Sequence, residues 1–234
     1  MSTVAPSPSF PSPFPSEGDF TTRWWWVRHA PVTENKGKIY GNSDLSCDCD
    51  DRILFEHAAK ILPHPAILIT SHLRRTIQTA DAIKKAGYKD FSGHIQEAAF
   101  AEQDMGDWQG KTRDEIGLYD RALDERFWLT PDYSSAPNGE SFADICARVG
   151  KKILKYSWDY QNQDIVAVAH NGTIRAALVQ ALNIAPSAGL RFVIDNVSVT
   201  RIDFIHMGKQ HFWRLANIND TPNDRGWKRG HLKF

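Results

Sequence analysis

Cysteine is scarce in this chain, which contains only Cys47, Cys49 and Cys146 among its 234 residues. So small and odd a number does not build a disulfide framework, and it favours a reducing compartment. A surplus of charge of one sign is also lacking, because 28 basic residues balance 28 acidic residues. This balance argues against a nucleic-acid-binding protein that relies on a basic face.

Long apolar runs are missing as well, and the longest fall far short of the ~20 residues that a membrane span requires. Residues 1–19 form a Pro/Ser repeat with too little apolar surface to offset the entropy lost on ordering, so we expect a disordered tail. The tail lacks the unbroken apolar segment of a secretory signal and the arginines of a transit peptide, so we expect the cytoplasm. Residues 20–234 have the length of a single α/β domain.

Three short apolar runs end next to residues whose side chains can take part in catalysis or bind a ligand. The runs are residues 24–27, 66–70 and 165–169, and they are followed by Arg28-His29, Ser71 and His170. Continuously apolar runs bounded by turn residues are typical of buried strands in a parallel sheet. The second and third runs precede segments that resemble helices, residues 72–86 and 171–182, as in βαβ units. The sequence therefore predicts an α/β fold, a three-layer αβα sandwich with a mostly parallel central sheet.

The rest of the chain gives weaker signals. Residues 92–150 are rich in aromatic and charged side chains, and we interpret them as an excursion over the site rather than a separate domain. Residues 191–205 and 211–218 are two β-like stretches that predict a hairpin at the sheet edge, joined by Met207-Gly208-Lys209. Residues 219–234 are polar and predict a terminal loop.

The ends of the three apolar runs offer the groups that phosphoryl transfer requires in the absence of a metal. Ligands of parallel sheets bind beyond the carboxyl ends of the strands. There the transferring group needs fixed positive charge, a nucleophile and a proton donor for the leaving oxygen. Arg28 and Arg75 suit the charge because a guanidinium group grips phosphate oxygens with two hydrogen bonds. His29 suits the nucleophile because a free imidazole, with a pKa of about 6.5, is partly neutral at pH 7.

Five motifs resemble, in order and spacing, those of the histidine phosphatase superfamily, which includes phosphoglycerate mutases and broad-specificity phosphatases. They are VRHAPVTEN (27–35), SHLRRTIQTA (71–80), AEQDMGDWQG (101–110), NGES (138–141) and AHNGTIRAAL (169–178). The resemblance extends from residue 23 to 217 and implies a phosphoglycerate mutase-like fold. It also implies a metal-independent phosphatase without a cofactor, which hydrolyses a small phosphorylated metabolite through a phosphohistidine.

The resemblance implies a role for each matching residue. His29 is the expected nucleophile, and three side chains are expected to surround the phosphate: Arg28, Arg75 and His170. Asn35 is expected to donate a hydrogen bond to it.

The proton donor and the second helix start complete the expected site. Glu102 occupies the position of the proton donor in the family's phosphatases, in an apolar stretch of sequence, with Asp104 and Glu140 as rival carboxylates. Asn171 and Gly172 begin the helix after His170, where backbone N–H groups favour an anion, and we expect them to contact the substrate.

Several positions depart from the family's pattern without removing a proposed catalytic group. Ala30, His72 and Asn171 replace a glycine, a proline and a glycine, and Gln109 stands where a glutamate is frequent. We expect the turn at Ala30 to survive unless that position needs a positive φ.

Other features have a structural and a functional interpretation. Residues 47–51 (CDCDD) lack the paired CxxC or spaced histidines of a metal site, so we expect a solvated turn and helix start. Three aromatic side chains are candidates for lining a pocket for an apolar or ring-bearing substrate: Phe127, Trp128 and Tyr133.

Two alternative functions stay open. A phosphoglycerate mutase of this family would carry a longer segment with an Arg-His-Tyr-Gly-type stretch, where this chain has the short EQDMGDWQG. A non-catalytic module that binds a phosphorylated ligand would not need His29 and Glu102 together. The sequence leaves a homodimer open, and it favours neither a nucleic-acid nor a membrane partner.

Overall fold

The structure is a computed structural model that describes residues 18–89, 91–117 and 132–222. Most of the Pro/Ser tail, Phe127, Trp128 and the terminal residues from 223 onward lie outside the described residues. The disordered tail, the terminal loop and the role of these two aromatic side chains therefore stay predictions.

The described chain alternates strands and helices for most of its length. Its strands are β1 (Phe20–Arg28), β2 (Ala66–Thr70), β3 (Phe91–Gln96), β4 (Asp164–Ala169), β5 (Val199–Met207) and β6 (Gln210–Asp220). Its helices are α1 (Arg52–Ile61), α2 (Arg74–Lys85), α3 (Phe142–Asp159), α4 (Asn171–Leu182) and the short α5 (Pro186–Gly189).

The strands form one sheet in the order β3-β2-β4-β1-β5-β6. Strands β3, β2, β4 and β1 run parallel to one another, whereas β5 is antiparallel to β1 and β6 is antiparallel to β5. The prediction of an α/β fold with a mostly parallel sheet is confirmed. The predicted hairpin is also found, with β6 at the sheet edge and a turn at Gly208.

Strands β2 and β4 and residues 24–27 of β1 are largely apolar, because helices pack on both faces of the sheet. On one face, Trp24 and Trp26 of β1 stack with ring centroids 5.1 Å apart and join the buried side chains of α3 and α4. On the other face, Val27 packs among the buried side chains of α1 and α2. These two cores build the predicted αβα sandwich and fix the position of the strand ends.

Helix α1 begins just after residues 47–51, where the sequence predicted a turn and a helix start. The Asp51 side chain accepts a hydrogen bond from the Leu54 N–H and caps α1. Ser141 and Asp144 form a reciprocal capping box at the start of α3.

Two parts of the sequence interpretation were wrong. The excursion assigned to residues 92–150 includes strand β3, whose short, half-exposed sequence FSGHIQ lacks an apolar run because it lies at the sheet edge. The β-like stretch assigned from residue 191 does not become a strand until Val199. Val197 has a φ of 59°, which interrupts an extended strand.

Within the described ranges, no helix is both long and apolar enough to cross a bilayer.

Candidate active site

Two histidines come together because their strands are neighbours in the sheet. His29 follows β1 and His170 follows β4, and these strands pair in parallel. Both side chains are buried, and their ring centroids are 5.1 Å apart. The residues that the sequence placed at separate strand ends therefore share one site.

The His29 ring is fixed by the backbone of the next residue, Ala30. Its Nδ1–H donates to the Ala30 carbonyl at 2.6 Å. The lone pair of the neutral ring then resides on Nε2, the atom available for nucleophilic attack. Asn196 holds the same turn by donating to the His29 carbonyl oxygen at 2.7 Å.

The His170 ring is fixed by two side chains. The Arg75 Nε–H donates to Nδ1 at 3.2 Å, so Nε2 of the neutral ring carries the proton and donates to Ser71 Oγ at 2.8 Å. Ser71 ends the run that the sequence identified as a strand, but it was not singled out as a site residue. Its position at a carboxyl strand end was the signal that pointed to it.

Burial and nearby arginines keep both rings neutral. Burial is the main cause that lowers the pKa of His29 well below its usual value, and the charges of Arg28 and Arg75 add to it. Burial followed by Arg75 likewise lowers the pKa of His170. A neutral His29 is the form that can act as a nucleophile.

Arg75 is held by the segment that follows β1. Its guanidinium group donates to the Ser43 carbonyl at 2.6 Å and to the Gly41 carbonyl at 2.8 Å. It also lies 5.2 Å from the ring centroid of Tyr40. A Cβ atom at Gly41, whose φ is +44°, would lie 2.6 Å from Gln109 Oε1, so this turn requires glycine.

A cavity of about 370 Å³ opens at this edge of the sheet. Four of the predicted residues line it: Arg28, Asn35, Glu102 and Asn171. Sequence reasoning assigned no site role to the other lining residues, which include Lys38, Tyr40 and Arg113 in loops without a periodic signal. The buried atoms Arg28 Nε and Asn171 Oδ1 lack a hydrogen-bond partner in the structure, and a bound polar ligand would satisfy them.

Glu102 packs against the start of α4. Its carboxylate accepts hydrogen bonds from the Gly172 N–H at 3.1 Å and from the Gln103 N–H at 3.1 Å. A Cβ atom at residue 172 would lie 2.5 Å from Glu102 Oε1, so a larger residue there would displace the Glu102 carboxylate. In this structure Gly172 thus positions Glu102, and its contact with a substrate stays a prediction.

The two rival carboxylates are engaged elsewhere. Glu140 forms an ion pair with Arg148, whose Nη2 and Nε donate to its carboxylate at 2.6 and 2.9 Å. Asp104 accepts from the Gly106 N–H at 2.8 Å. Of the carboxylates in the described ranges, Glu102 is the one that lines the cavity.

Asn35 lies in a turn that borders the cavity. Its Nδ2 donates to the Lys38 carbonyl at 2.8 Å and closes a turn, and the residue also lines the cavity. Tyr133 is 75% exposed and does not border this cavity, and its place in a pocket with Phe127 and Trp128 stays a prediction because those two residues lie outside the described ranges.

The residues that differ from the family's pattern fit their local surroundings. Ala30 does not have a positive φ, so its Cβ atom meets no backbone strain. Gln109 accepts a hydrogen bond from the Asn42 N–H at 2.9 Å, and His72 is exposed. Within the described part of the chain, no group of three or more His, Cys, Asp or Glu side chains is arranged to hold a metal ion.

The fold and the site define a class: an α/β protein with paired neutral histidines and two arginines at the carboxyl edge of its sheet. The sequence profile of the histidine phosphatase superfamily (branch 1) matches residues 24–221, and the chain belongs to this superfamily.

Relatives by sequence include phosphatases and a mutase. A bifunctional protein of Mycobacterium tuberculosis is 28% identical over 152 residues, and the match covers 65% of this chain but only 40% of that protein. Phosphoserine phosphatase 1 of Hydrogenobacter thermophilus is 30% identical over 148 residues, which are 62% of this chain and 65% of its own length. A 2,3-bisphosphoglycerate-dependent phosphoglycerate mutase of Cytophaga hutchinsonii is 29% identical over 167 residues, 68% of this chain and 77% of its own.

Solved structures share the fold. A mycobacterial glucosyl-3-phosphoglycerate phosphatase superposes with a TM-score of 0.71 at 22% identity, over 86% of this chain and 100% of that one.

Proposed function

We propose that this protein hydrolyses a small phosphomonoester in two displacements, through a phosphohistidine on His29. The observation that carries the proposal is the packing of His29 against His170, which Arg75 holds in place, beside a cavity that Glu102 lines. Arginine, neutral imidazole and a carboxylate are the groups that the reaction needs. Relatives named as phosphatases add support.

In the first displacement, His29 Nε2 attacks phosphorus and forms a P–N bond while the P–O bond to the leaving group breaks. Arg28 and Arg75 supply positive charge to the phosphate oxygens. The protonated Glu102 carboxyl passes its proton to the departing alkoxide, which leaves as an alcohol.

In the second displacement, water attacks the phosphohistidine. The Glu102 carboxylate now takes a proton from the water, the P–N bond breaks, and inorganic phosphate leaves. His29 returns to its neutral form. Two displacements replace one difficult attack by water with two easier steps.

The kinetic test is the release of phosphate from p-nitrophenyl phosphate in the presence of EDTA. We expect full activity with the chelator, because protein cations supply the charge, and a loss of about 10³-fold or more in kcat for His29→Ala. His211→Ala, on the edge strand β6, is the matched control and should keep its activity. Full activity of His29→Ala would end the proposal.

A phosphoglycerate mutase is the second candidate, because the mutase of Cytophaga hutchinsonii is 29% identical to this chain. The reaction product decides between the two. With 3-phosphoglycerate and a bisphosphoglycerate primer, a phosphatase releases free phosphate, whereas a mutase yields the isomer. A module that only binds a phosphorylated ligand would give neither product.

A further inference from the structure

Cys47 and Cys49 form a dithiol pair that the proposed reaction does not use. Their Sγ atoms lie 3.6 Å apart in the segment between β1 and α1. Both side chains are half-buried, and both border a cavity of about 880 Å³. This cavity shares no lining residue with the one that Glu102 lines.

We propose that Cys47 and Cys49 are a thiol–disulfide exchange site, which a small-molecule disulfide such as oxidised glutathione converts into an intramolecular disulfide. The two sulfur atoms already lie on the same side of the chain. They need to approach from 3.6 Å to about 2.05 Å, the length of an S–S bond.

Cys47 is the attacking thiol of the pair. The hydrogen bond from Cys49 is the main cause that lowers the pKa of Cys47, and Thr79 and the charge of Arg75 act in the same direction. Burial and the charge of Asp48 oppose them. The same hydrogen bond is the main cause that raises the pKa of Cys49, and this cause is removed once the Cys47 sulfur is bound in a mixed disulfide, which leaves Cys49 to act in the second, resolving step.

Cys146 provides the contrast within the same chain. It lies on α3, and burial raises the pKa of its thiol to about 12. Thiol–disulfide exchange requires a thiolate, so Cys146 should react far more slowly than Cys47.

The cavity beside the pair is lined by side chains of both charge signs. Its wall carries the basic side chains of Arg52 and Lys85 together with acidic side chains, which include Asp48, Asp50 and Asp81. Glutathione carries both carboxylates and an ammonium group, and such a mixed wall offers a partner to each.

The exchange balances without any further reagent. The Cys47 thiolate attacks one sulfur of the glutathione disulfide, a mixed disulfide forms, and one glutathione leaves as its thiolate. The Cys49 sulfur then attacks the Cys47 sulfur, its proton passes to the second departing glutathione, and the Cys47–Cys49 bond forms. The protein dithiol is oxidised, and the small disulfide is reduced to two thiols.

The pair also contacts the candidate active site. Cys47 Sγ donates to the Arg75 carbonyl at 3.3 Å and lies 3.7 Å from Thr79 Oγ1. Thr79 Oγ1 in turn accepts from the N–H of Ala30, next to His29, at 2.9 Å. Disulfide formation removes the first bond and draws residue 47 toward residue 49.

The effect on activity rests on the proposed function. Displacements of about 1 Å in a site of this kind reduce rates by up to about 10²-fold. We therefore expect oxidation to lower kcat/KM on the order of tenfold, with full recovery after dithiothreitol.

The test incubates the full-length reduced protein with oxidised glutathione at neutral pH and maps the products by peptide mass spectrometry. We expect the Cys47–Cys49 disulfide in the wild type and in Cys146→Ser. In Cys49→Ser, glutathione should stay attached to Cys47, because the resolving thiol is missing. In Cys47→Ser, reaction at Cys49 should be at least about tenfold slower.

Modification of Cys146 before Cys47, or two separately glutathionylated cysteines in the wild type, would overturn the exchange site. These readouts measure mass alone, so they hold whether or not the protein is a phosphatase. Formation of the disulfide with unchanged kcat/KM would overturn the effect on activity only.

Discussion

Glu102 and Glu140 carry the same functional group in different surroundings, and the difference predicts distinct mutant behaviour. Glu102→Gln removes the proposed proton donor, so kcat should fall by about 10²- to 10⁴-fold with an alkyl phosphate. The loss should be smaller with p-nitrophenyl phosphate, because its leaving group departs without a proton. Measurement of kcat for both substrates checks this prediction.

Glu140→Gln is the matched control. It weakens the ion pair with Arg148, so it should reduce the free energy of unfolding. The ratio of the two kcat values should stay as in the wild type. Equal sensitivity of both variants to the leaving group would contradict the assignment of Glu102.

The two buried histidines predict how stability depends on pH. Their folded-state pKa values lie below the unfolded value of about 6.5, so below that pH the unfolded chain binds more protons. The contribution of the two rings to the free energy of unfolding should therefore be complete above pH ~6.5. Below that pH the free energy of unfolding should fall by up to about 1.4 kcal/mol per pH unit for each ring.

Replacement of one ring tests this linkage. His170→Gln should reduce the slope of unfolding free energy against pH, between about pH 6.5 and 5, by up to about 1.4 kcal/mol per unit. Urea unfolding at several pH values measures the slope. An unchanged slope would mean that His170 is not buried as a neutral ring.

At the scale of elements, the start of α3 supports the site indirectly. Ser141 caps this helix. Arg148, which lies in the same helix, donates to the carbonyl of Ala99 at 2.6 Å and forms the ion pair with Glu140. Ser141→Ala should reduce the free energy of unfolding by about 1 kcal/mol. The exposed Ser134→Ala is the control for urea unfolding, and equal stability of the two variants would contradict the role of the cap.

The elements differ in how far the sequence could predict them. Strands β2 and β4 and residues 24–27 of β1 were predicted, because packing on both faces of the sheet makes these stretches continuously apolar. Helix α4 was predicted at residues 171–182 and begins and ends there. Strand β3 was missed, because an edge strand with exposed side chains leaves no such run.

At the scale of the molecule, the sheet order brings distant residues together. The sequence predicted that these strands form a parallel sheet, and therefore that His29 and His170 lie at the same edge. The structure pairs β1 with β4, and β4 with β2, in parallel. The sequence could not predict that Tyr40, Lys38 and Arg113 line the cavity beside Glu102, because their positions depend on loop packing rather than on a periodic pattern. The cytoplasmic location and the homodimer stay predictions.

The measurement that tests the central claim most directly is the location of the covalent phosphate. The protein is mixed with a phosphomonoester, quenched rapidly in alkali and mapped by peptide mass spectrometry, with Glu102→Gln used to slow hydrolysis. We predict an acid-labile phosphoryl group on His29, absent from His29→Ala. Substrate turnover without any phosphorylated His29, or with phosphate on another residue, would contradict the account.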